Sequence, residues 1–330
     1  MLHNMLYYWY NNHGGQMIKN YNLGYACICT ELSSRKVKVT TNRTMRKETF
    51  QQKGLDYVSE IILDNVKDLL TILKWNAKHD IHFFRMSSEM FPWASEYKLE
   101  DLKDFDKIEE ALYQAGLFAN ENNIRLTTHP GPFNKLCSPN EQVVQNTIND
   151  LEVHGRMMDL LCQPRSPWAK INIHVGGAYN DKPMALANFC KNFERLSDAV
   201  KTRLTVENDD KDSLFSTKEL FDGVFKQIGI PIVHDYHHHT MCTGGLTQQE
   251  AVELALQTWG ETVPVVHYSQ SRSEEYNDPK VKPQAHSDSY WTPVNTFGHR
   301  MDIMLEAKFK EQALFKMREL MAEASCMAAK

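Results

Sequence analysis

The chain contains no Cys-x-x-Cys pair. Its seven cysteines, Cys27, Cys29, Cys137, Cys162, Cys190, Cys242 and Cys326, are odd in number and scattered. A zinc ribbon, a thioredoxin-like site and a disulfide framework are therefore unsupported, and the pattern suits a reducing, intracellular compartment. No run approaches the ~20 apolar residues of a membrane helix, so no membrane partner is expected. The opening MLHNMLYYWYNNHGGQ lacks the basic start and apolar stretch of a secretory signal. The segment after the first strand-like stretch, CICTELSSRKVKVTTNRT, contains no glycine, which argues against a doubly wound dinucleotide-binding sheet. Repeats of fixed period and low-complexity segments are also missing. Excess positive charge is absent too: Lys plus Arg is 37 against 42 Asp plus Glu, a formal −5. Charge alone would not make this chain grip nucleic acid.

What is present is a chain of 330 residues, 42% hydrophobic and 24% charged, long enough to bury a full core without staples. Residues 1–17 are expected to form a mobile extension, and 18–325 one domain. Strand-like and helix-like segments alternate along it. Strands are expected at Tyr21–Ile28, Ile81–Met86, Ile124–Thr128, Lys170–Val175, Arg203–Glu207, Ile230–His234, Val263–His267 and Asp302–Leu305. Helices are expected at Asp56–His79, Asp106–Asn123, from about Asn140, and at Met184–Val200, Thr217–Ile228, Thr247–Trp259 and Lys308–Ala324. Such alternation means parallel strands with right-handed crossovers. Eight units in a chain somewhat above ~250 residues suit a single-domain (β/α)8 TIM barrel.

The 14 histidines are placed to a pattern. His129 closes LTTHPG, His174 closes KINIHVGG, Glu207 closes RLTVEND, Asp235 closes IPIVHD, His267 closes VPVVHYSQS and Glu306 closes DIMLEAK, while His286 lies in PQAHSDS. In a parallel barrel the carboxyl ends of the strands converge on one mouth. Imidazoles and carboxylates buried there unpaired would be costly, and shared metal ions resolve the cost. The candidates are numerous enough for two or three divalent ions. From the residues alone two enzyme classes remain open, phosphoryl transfer on a multi-metal site and a sugar isomerase or epimerase on the same kind of barrel.

The segments TTNRT (40–44), FRMSSEMFPWAS (84–95), HPGPF (129–133), NIHVGGAY (172–179), LTVENDD (204–210), HDYHHH (234–239), VHYSQ (266–270) and MLEAKFKEQAL (304–314) together resemble the UV damage endonucleases. These are TIM-barrel DNA repair nucleases related in fold to endonuclease IV. The resemblance runs in order from about Tyr21 to about Leu314. It implies metal-dependent hydrolysis of UV-damaged double-stranded DNA immediately 5′ to cyclobutane pyrimidine dimers and 6-4 photoproducts, and action at abasic sites. The implied products are a 3′-hydroxyl and a 5′-phosphate, with no covalent enzyme intermediate. Mn²⁺ is the implied ion, with Zn²⁺, Mg²⁺ or Co²⁺ also compatible, and a monomer is expected.

Carried onto this chain, the resemblance implies a ligand set of His129, His174, Glu207, Asp235, His238, His267, His286 and Glu306. Glu207, Glu306, Lys308 and His267 are implied to carry the chemistry, and His239 to support the ligands from behind. Tyr25, Cys29, Asn42, Arg43, Pro132, Phe133, Arg272 and Lys282 are implied to meet the DNA or its lesion. Arg35, Lys36, Lys38, Arg46 and Lys47 add charge to the first loop. Where relatives often carry a histidine after the second strand, this chain has Glu89. Where some carry a carboxylated lysine two residues before the seventh-strand histidine, it has Val265. Glu89 is therefore expected as a further ligand that offsets the lost anion. The change at Val265 also leaves open a homologue that binds damaged DNA without cutting it, while Pro132, where relatives have Gln, bears on how the lesion is probed.

Overall fold

The structure, a computed structural model, describes residues 21–328; the expected N-terminal extension lies outside them. Eight parallel strands close into a barrel in sequence order. They are β1 (Tyr21–Ala26), β2 (Phe83–Met86), β3 (Arg125–Thr128), β4 (Ile171–Ile173), β5 (Leu204–Glu207), β6 (Ile232–Asp235), β7 (Val265–Tyr268) and β8 (Met301–Leu305). The ring closes through Tyr21 opposite Met301 and Tyr25 opposite Leu305. The principal helices are α1 (Lys47–Lys78), α2 (Phe105–Glu121), α3 (Glu141–Leu160), α4 (Lys182–Phe193), α5 (Thr217–Leu220), α6 (Gln248–Leu256), α7 (Arg272–Glu275) and α8 (Lys310–Ala328). Among the described residues no helix is long and apolar enough to cross a membrane.

The eight expected strands all form, each within a few residues of its expected bounds. Two helices differ. The expected Met184–Val200 helix is split, with a separate turn at Asp198–Lys201. The expected Thr217–Ile228 helix carries a π turn at Phe221–Phe225, where Gly223 packs so close to Leu186 that a Cβ would stand 2.5 Å from its Cδ1. α3 begins as its sequence indicates, with the Asn140 side chain accepting from the amides of Gln142 and Val143.

Strand alternation sorts the residues into two sets. On β1 the odd positions Leu23 and Tyr25 face the helices, where they join the main apolar layer with α1, α2 and α8. The even position Gly24 faces the lumen, and a Cβ there would stand 2.5–2.8 Å from Phe83. Phe83, Val233, Val265 and Met304, with Ala26 and Trp259, plug the lumen with a small apolar core of their own. Below this plug Arg125 crosses the barrel floor. Its guanidinium donates to Asp302 Oδ2 (2.8 Å) and to the carbonyls of Trp168, Val263 and Pro167. Asn22 also donates to Asp302. The apolar plug and the braced floor leave the top of the lumen as the level at which polar side chains gather.

Candidate metal centre at the barrel mouth

The lumen-facing positions at the upper ends of the strands are occupied by His129, His174, Glu207, Asp235, His267 and Glu306. His238 reaches in from the turn Tyr236–His239, whose N-cap is Asp235: the Asp235 Oδ1 accepts from the His238 amide at 2.8 Å. Three overlapping groups result: His129, His174 and Glu207; Glu207, Asp235 and His238; Asp235, His267 and Glu306. Within each, the candidate ligand atoms lie within 4.8 Å of one another. Glu207 belongs to two groups and Asp235 to two.

The histidines are oriented from behind. A ring nitrogen that donates to a carbonyl leaves the other nitrogen with its lone pair free. His238 Nδ1 donates to the Asn208 carbonyl (2.9 Å), His286 Nδ1 to the Glu306 carbonyl (3.0 Å) and His129 Nδ1 to the Pro130 carbonyl (3.2 Å). His174 Nδ1 faces Asp209 Oδ1 at 3.1 Å. His129 Nε2 meets Glu207 Oε2 at 3.0 Å and His174 Nε2 stands 4.0 Å from it, while His238 and His286 lie near Glu207 and Glu306 through Nδ1, at 3.5 and 3.7 Å. His267 is reversed: its Nε2 lies 3.1 Å from Lys170 Nζ, and its Nδ1 faces Glu207 at 3.1 Å and Glu306 at 3.4 Å.

The charges are strongly coupled. Burial opposes ionisation of Glu207, yet the neighbouring His267 and His174 and the hydrogen bond from His129 hold its carboxyl well below the usual range. Glu306 is held low in the same way, against burial, by Arg85 and His267. Burial pushes the carboxyl of Asp235 up and His129 down to about 4. His174 is lifted to about 9, Glu207 and Asp209 outweighing its burial. A site holding this many lone pairs and carboxylates needs cations, and two protein cations are built in. Arg85 on β2 is ion-paired with Glu306. Lys170, just ahead of β4, is fully buried, and burial pushes its ammonium down to about 7.

Neither cation is legible as a functional residue from the sequence, since a lone Arg or Lys in an apolar strand reads as a solvent-facing position. The signal is parity. Lys170, Asn172 and His174 alternate, so all three face the lumen; Asn172 donates to Glu207 and accepts from Thr205. Val265, also a lumen residue, is part of the apolar plug. The lysine beside the seventh-strand histidine thus comes from β4's approach rather than from β7.

Lys170 gives a stability test. The unfolded chain holds this proton to ~10.4 and the folded one only to about 7, so the penalty on folding is complete below pH 7 and fades as pH rises toward 10. Lys170→Met is expected to stabilise the metal-free protein at pH 7 by a few kcal/mol, roughly 5–10 °C in thermal unfolding, with the gain shrinking toward pH 10. An equal gain at both pH values would contradict the assignment.

The remaining sequence candidates divide. His286 borders the groups, its Nδ1 3.7 Å from Glu306 Oε2. Glu89 joins none of them. It is exposed in a one-turn 3-10 helix after β2 and lines a neighbouring cleft of about 440 Å³ with Phe91, Trp93 and Phe133. Tyr25 and Cys29 are fully buried. Outward parity places Tyr25 against α1, its hydroxyl donating to Asn76 Oδ1 at 2.7 Å, so neither side chain is exposed at the mouth. His239 donates to the Leu246 carbonyl and packs near His234, with ring centres 5.2 Å apart, behind β6 and away from the ligand groups. Lys308 is exposed, held by its amide to the Ser287 carbonyl.

At the rim, Pro132 and Phe133 project from the β3 loop, with Phe133 62% exposed. Asn134 anchors that turn through Asp150 and the Gly131 carbonyl. Arg35, Lys36 and Lys38 are exposed on the β1 loop. Arg43 is largely committed to that loop's own structure, donating to Asp68 and to the carbonyls of Thr40 and Lys38, and Asn42 accepts from Thr40. Arg272 and Lys282 lie on the β7–β8 loop, Lys282 exposed.

Comparison with known proteins places this geometry in context. The family model described as "UV-endonuclease UvdE" matches residues 21–328. A UV-damage endonuclease of Schizosaccharomyces pombe is 37% identical over 310 residues, covering 89% of this chain and 50% of the relative. A UV DNA damage endonuclease of Clostridium perfringens is 31% identical over 303 residues, covering 89% of this chain and 69% of the relative. The chain thus spans about half the length of the fungal protein. The crystal structure of SacUVDE superposes with a TM-score of 0.79 at 30% identity, covering 92% of this chain and 99% of that one.

Proposed function

Since the chain belongs to the UV-endonuclease UvdE family, we propose that it is a metal-dependent endonuclease of UV-damaged double-stranded DNA. The proposed cut lies immediately 5′ to cyclobutane pyrimidine dimers and 6-4 photoproducts, and at abasic sites, leaving 3′-hydroxyl and 5′-phosphate ends from which excision repair begins. The observation that carries the reading is the set of three overlapping ligand groups at the mouth, ringed by an exposed aromatic and basic loops.

The donor set fits divalent metal. Asp235 Oδ2 and His267 Nδ1 are buried with no hydrogen-bond partner among the described residues, the state of groups that await a ligand. Mixed imidazole and carboxylate donors suit Mn²⁺, the ion proposed, and also Zn²⁺ or Co²⁺. The proposed ligands are His129, His174, Glu207, Asp235, His238, His267 and Glu306, with His286 at the margin. When bound, such ions act as Lewis acids, lower the pKa of water and offset charge on the phosphoryl group.

The chain's own residues do the positioning. Glu207, tied by Asn172 and facing four imidazoles, fixes the spacing between neighbouring groups. Arg85 restrains Glu306, and Lys170 sets the ring plane of His267. Exposed Arg35, Lys36, Lys38 and Lys282 contribute charge for the DNA backbone, which positions without specifying sequence. Phe133 is the apolar wedge that enters a weakened stack, as such side chains do when they kink a duplex. Lys308, exposed beside Glu306, supplies a cation at the rim.

The test is nicking of supercoiled plasmid. With Mn²⁺, irradiated plasmid is expected to relax, while unirradiated plasmid and EDTA-treated samples stay supercoiled. Damage-selective binding without relaxation would favour a non-cutting homologue, and neither binding nor nicking would overturn the reading.

A further inference from the structure

The loop between β7 and β8 carries aromatic side chains that the chemistry at the centre does not use, and Phe309 follows β8 beside it. Tyr276 is 55% exposed, Phe309 52% and Trp291 41%. Large apolar side chains held in water together mark an interaction surface. The loop is knitted tightly beneath them. Asp288 is the hub: its carboxylate accepts from the Tyr276 hydroxyl at 2.7 Å, its amide donates to Glu275 Oε2 at 2.6 Å, and its carbonyl accepts from the Phe309 amide at 3.0 Å. The Trp291 amide donates to Gln270 Oε1 at 3.0 Å. Arg272 stands 3.5 Å from the Asp288 carboxylate and 5.7 Å from the Tyr276 ring centre. Asp288 and Glu275 are therefore turned inward onto the loop, and the rings and the Arg272 guanidinium face outward beside exposed Glu274, Lys280 and Lys282.

Placement adds the second argument. In a barrel closed in sequence order, β7 stands opposite β3. The rings on this loop thus lie across the mouth from Phe133. A strand crossing the metal centre meets an aromatic wedge on one side and an aromatic surface with an arginine on the other. Rings interleaved with guanidinium are the chemistry that holds unstacked nucleobases, because every base has a π-face.

We propose that the β7–β8 loop is a stacking platform for unpaired nucleobases of the DNA, built on Tyr276 and Phe309 with Trp291 and Arg272 at its edges. The proposal rests on the endonuclease reading for its placement of DNA at the mouth. The platform holds bases that have left the duplex, independent of their identity and of any lesion. It therefore gives the protein affinity for undamaged single strands that the metal centre alone does not supply.

The experiment is fluorescence polarisation with the metal-loaded protein and two undamaged probes, a labelled oligothymidylate of about 12 nucleotides and a fully paired duplex of equal length, within the range of single-strand site sizes. Tyr276→Ala and Phe309→Ala are each expected to weaken binding to the single strand by about 5- to 150-fold and to change duplex binding by less than about twofold. Tyr276→Trp and Phe309→Tyr are expected to restore it. Single-strand binding within twofold of the parent protein, equal losses on both probes, or failure of the aromatic replacements would each overturn the platform. The same preparations are assayed on irradiated plasmid. Nicking by the parent protein with unaltered single-strand binding in the alanine variants removes the platform and leaves the endonuclease reading; ring-dependent binding without nicking does the reverse.

Discussion

Glu207→Gln is expected to lower the single-turnover rate of nicking by about 10³-fold, the scale seen when one preorganised charged or polar group is removed from a reacting centre. Glu207 has the greatest leverage because it is shared by two of the three ligand groups and is almost fully buried. The amide keeps the size and one acceptor oxygen, but it places an N–H2 against His129 or His267, which stand 3.0 and 3.1 Å from Oε2. Two metal positions weaken together, so bound metal measured by elemental analysis should fall by more than one equivalent. Thermal unfolding of the metal-free variant should also fall at neutral pH: His267, His174 and His129 hold the Glu207 carboxyl well below its usual range despite burial, and a carboxyl depressed on folding contributes stability above its unfolded pKa that the amide cannot supply. Retained metal with lost activity would assign Glu207 to proton transfer instead of ligation.

The second large effect is on stability and lies at the opposite end of the barrel. Arg125→Met is expected to destabilise the fold by about 3–5 kcal/mol, the cost of leaving one partner of a buried ion pair alone. The Arg125 and Asp302 side chains are only 1% and 2% exposed, and the guanidinium also satisfies the carbonyls of Trp168, Val263 and Pro167 while lying 4.5 Å from the Trp168 ring. The double variant Arg125→Met with Asp302→Leu should recover much of the loss, because the stranded carboxylate is removed with its partner. Urea denaturation of the two variants measures both. Equal destabilisation by the single and double changes would show that the carbonyl contacts, not the ion pair, carry the cost.

Much of the centre is legible in the amino-acid sequence, and the physical reason is the barrel. A parallel strand that ends in an imidazole or carboxylate delivers it to one mouth, so His129, His174, Glu207, Asp235, His267 and Glu306 converge whatever the loops do. His238 is legible because the D-x-x-H spacing spans one turn capped by Asp235. Residues one step out of parity mislead. Tyr25 stands near the end of β1 as the ligands stand near the ends of their strands, yet it faces α1 and the mouth receives Gly24 and Ala26. Glu89 follows β2 closely in sequence, but a loop rather than a strand carries it, and loop direction has no period to read. The cations Lys170 and Arg85 are hidden because a buried charge is unfavourable without partners, and their partners lie 97 and 221 residues away in the chain. The acidic balance is likewise misleading on its own. Part of the formal −5 sits in the ligand carboxylates, and three divalent ions, six positive charges, would more than offset the whole of it.

The most direct test of the central claim is the position and chemistry of the cut. A duplex oligonucleotide with one cyclobutane thymine dimer, labelled on the damaged strand, is incubated with the protein and Mn²⁺ and resolved beside a sequence ladder. The account predicts a single break at the phosphodiester immediately 5′ to the dimer, a product that a polymerase extends from its 3′-hydroxyl, and no break in the undamaged duplex. Equal cutting of both duplexes, or a break away from the dimer, would contradict it.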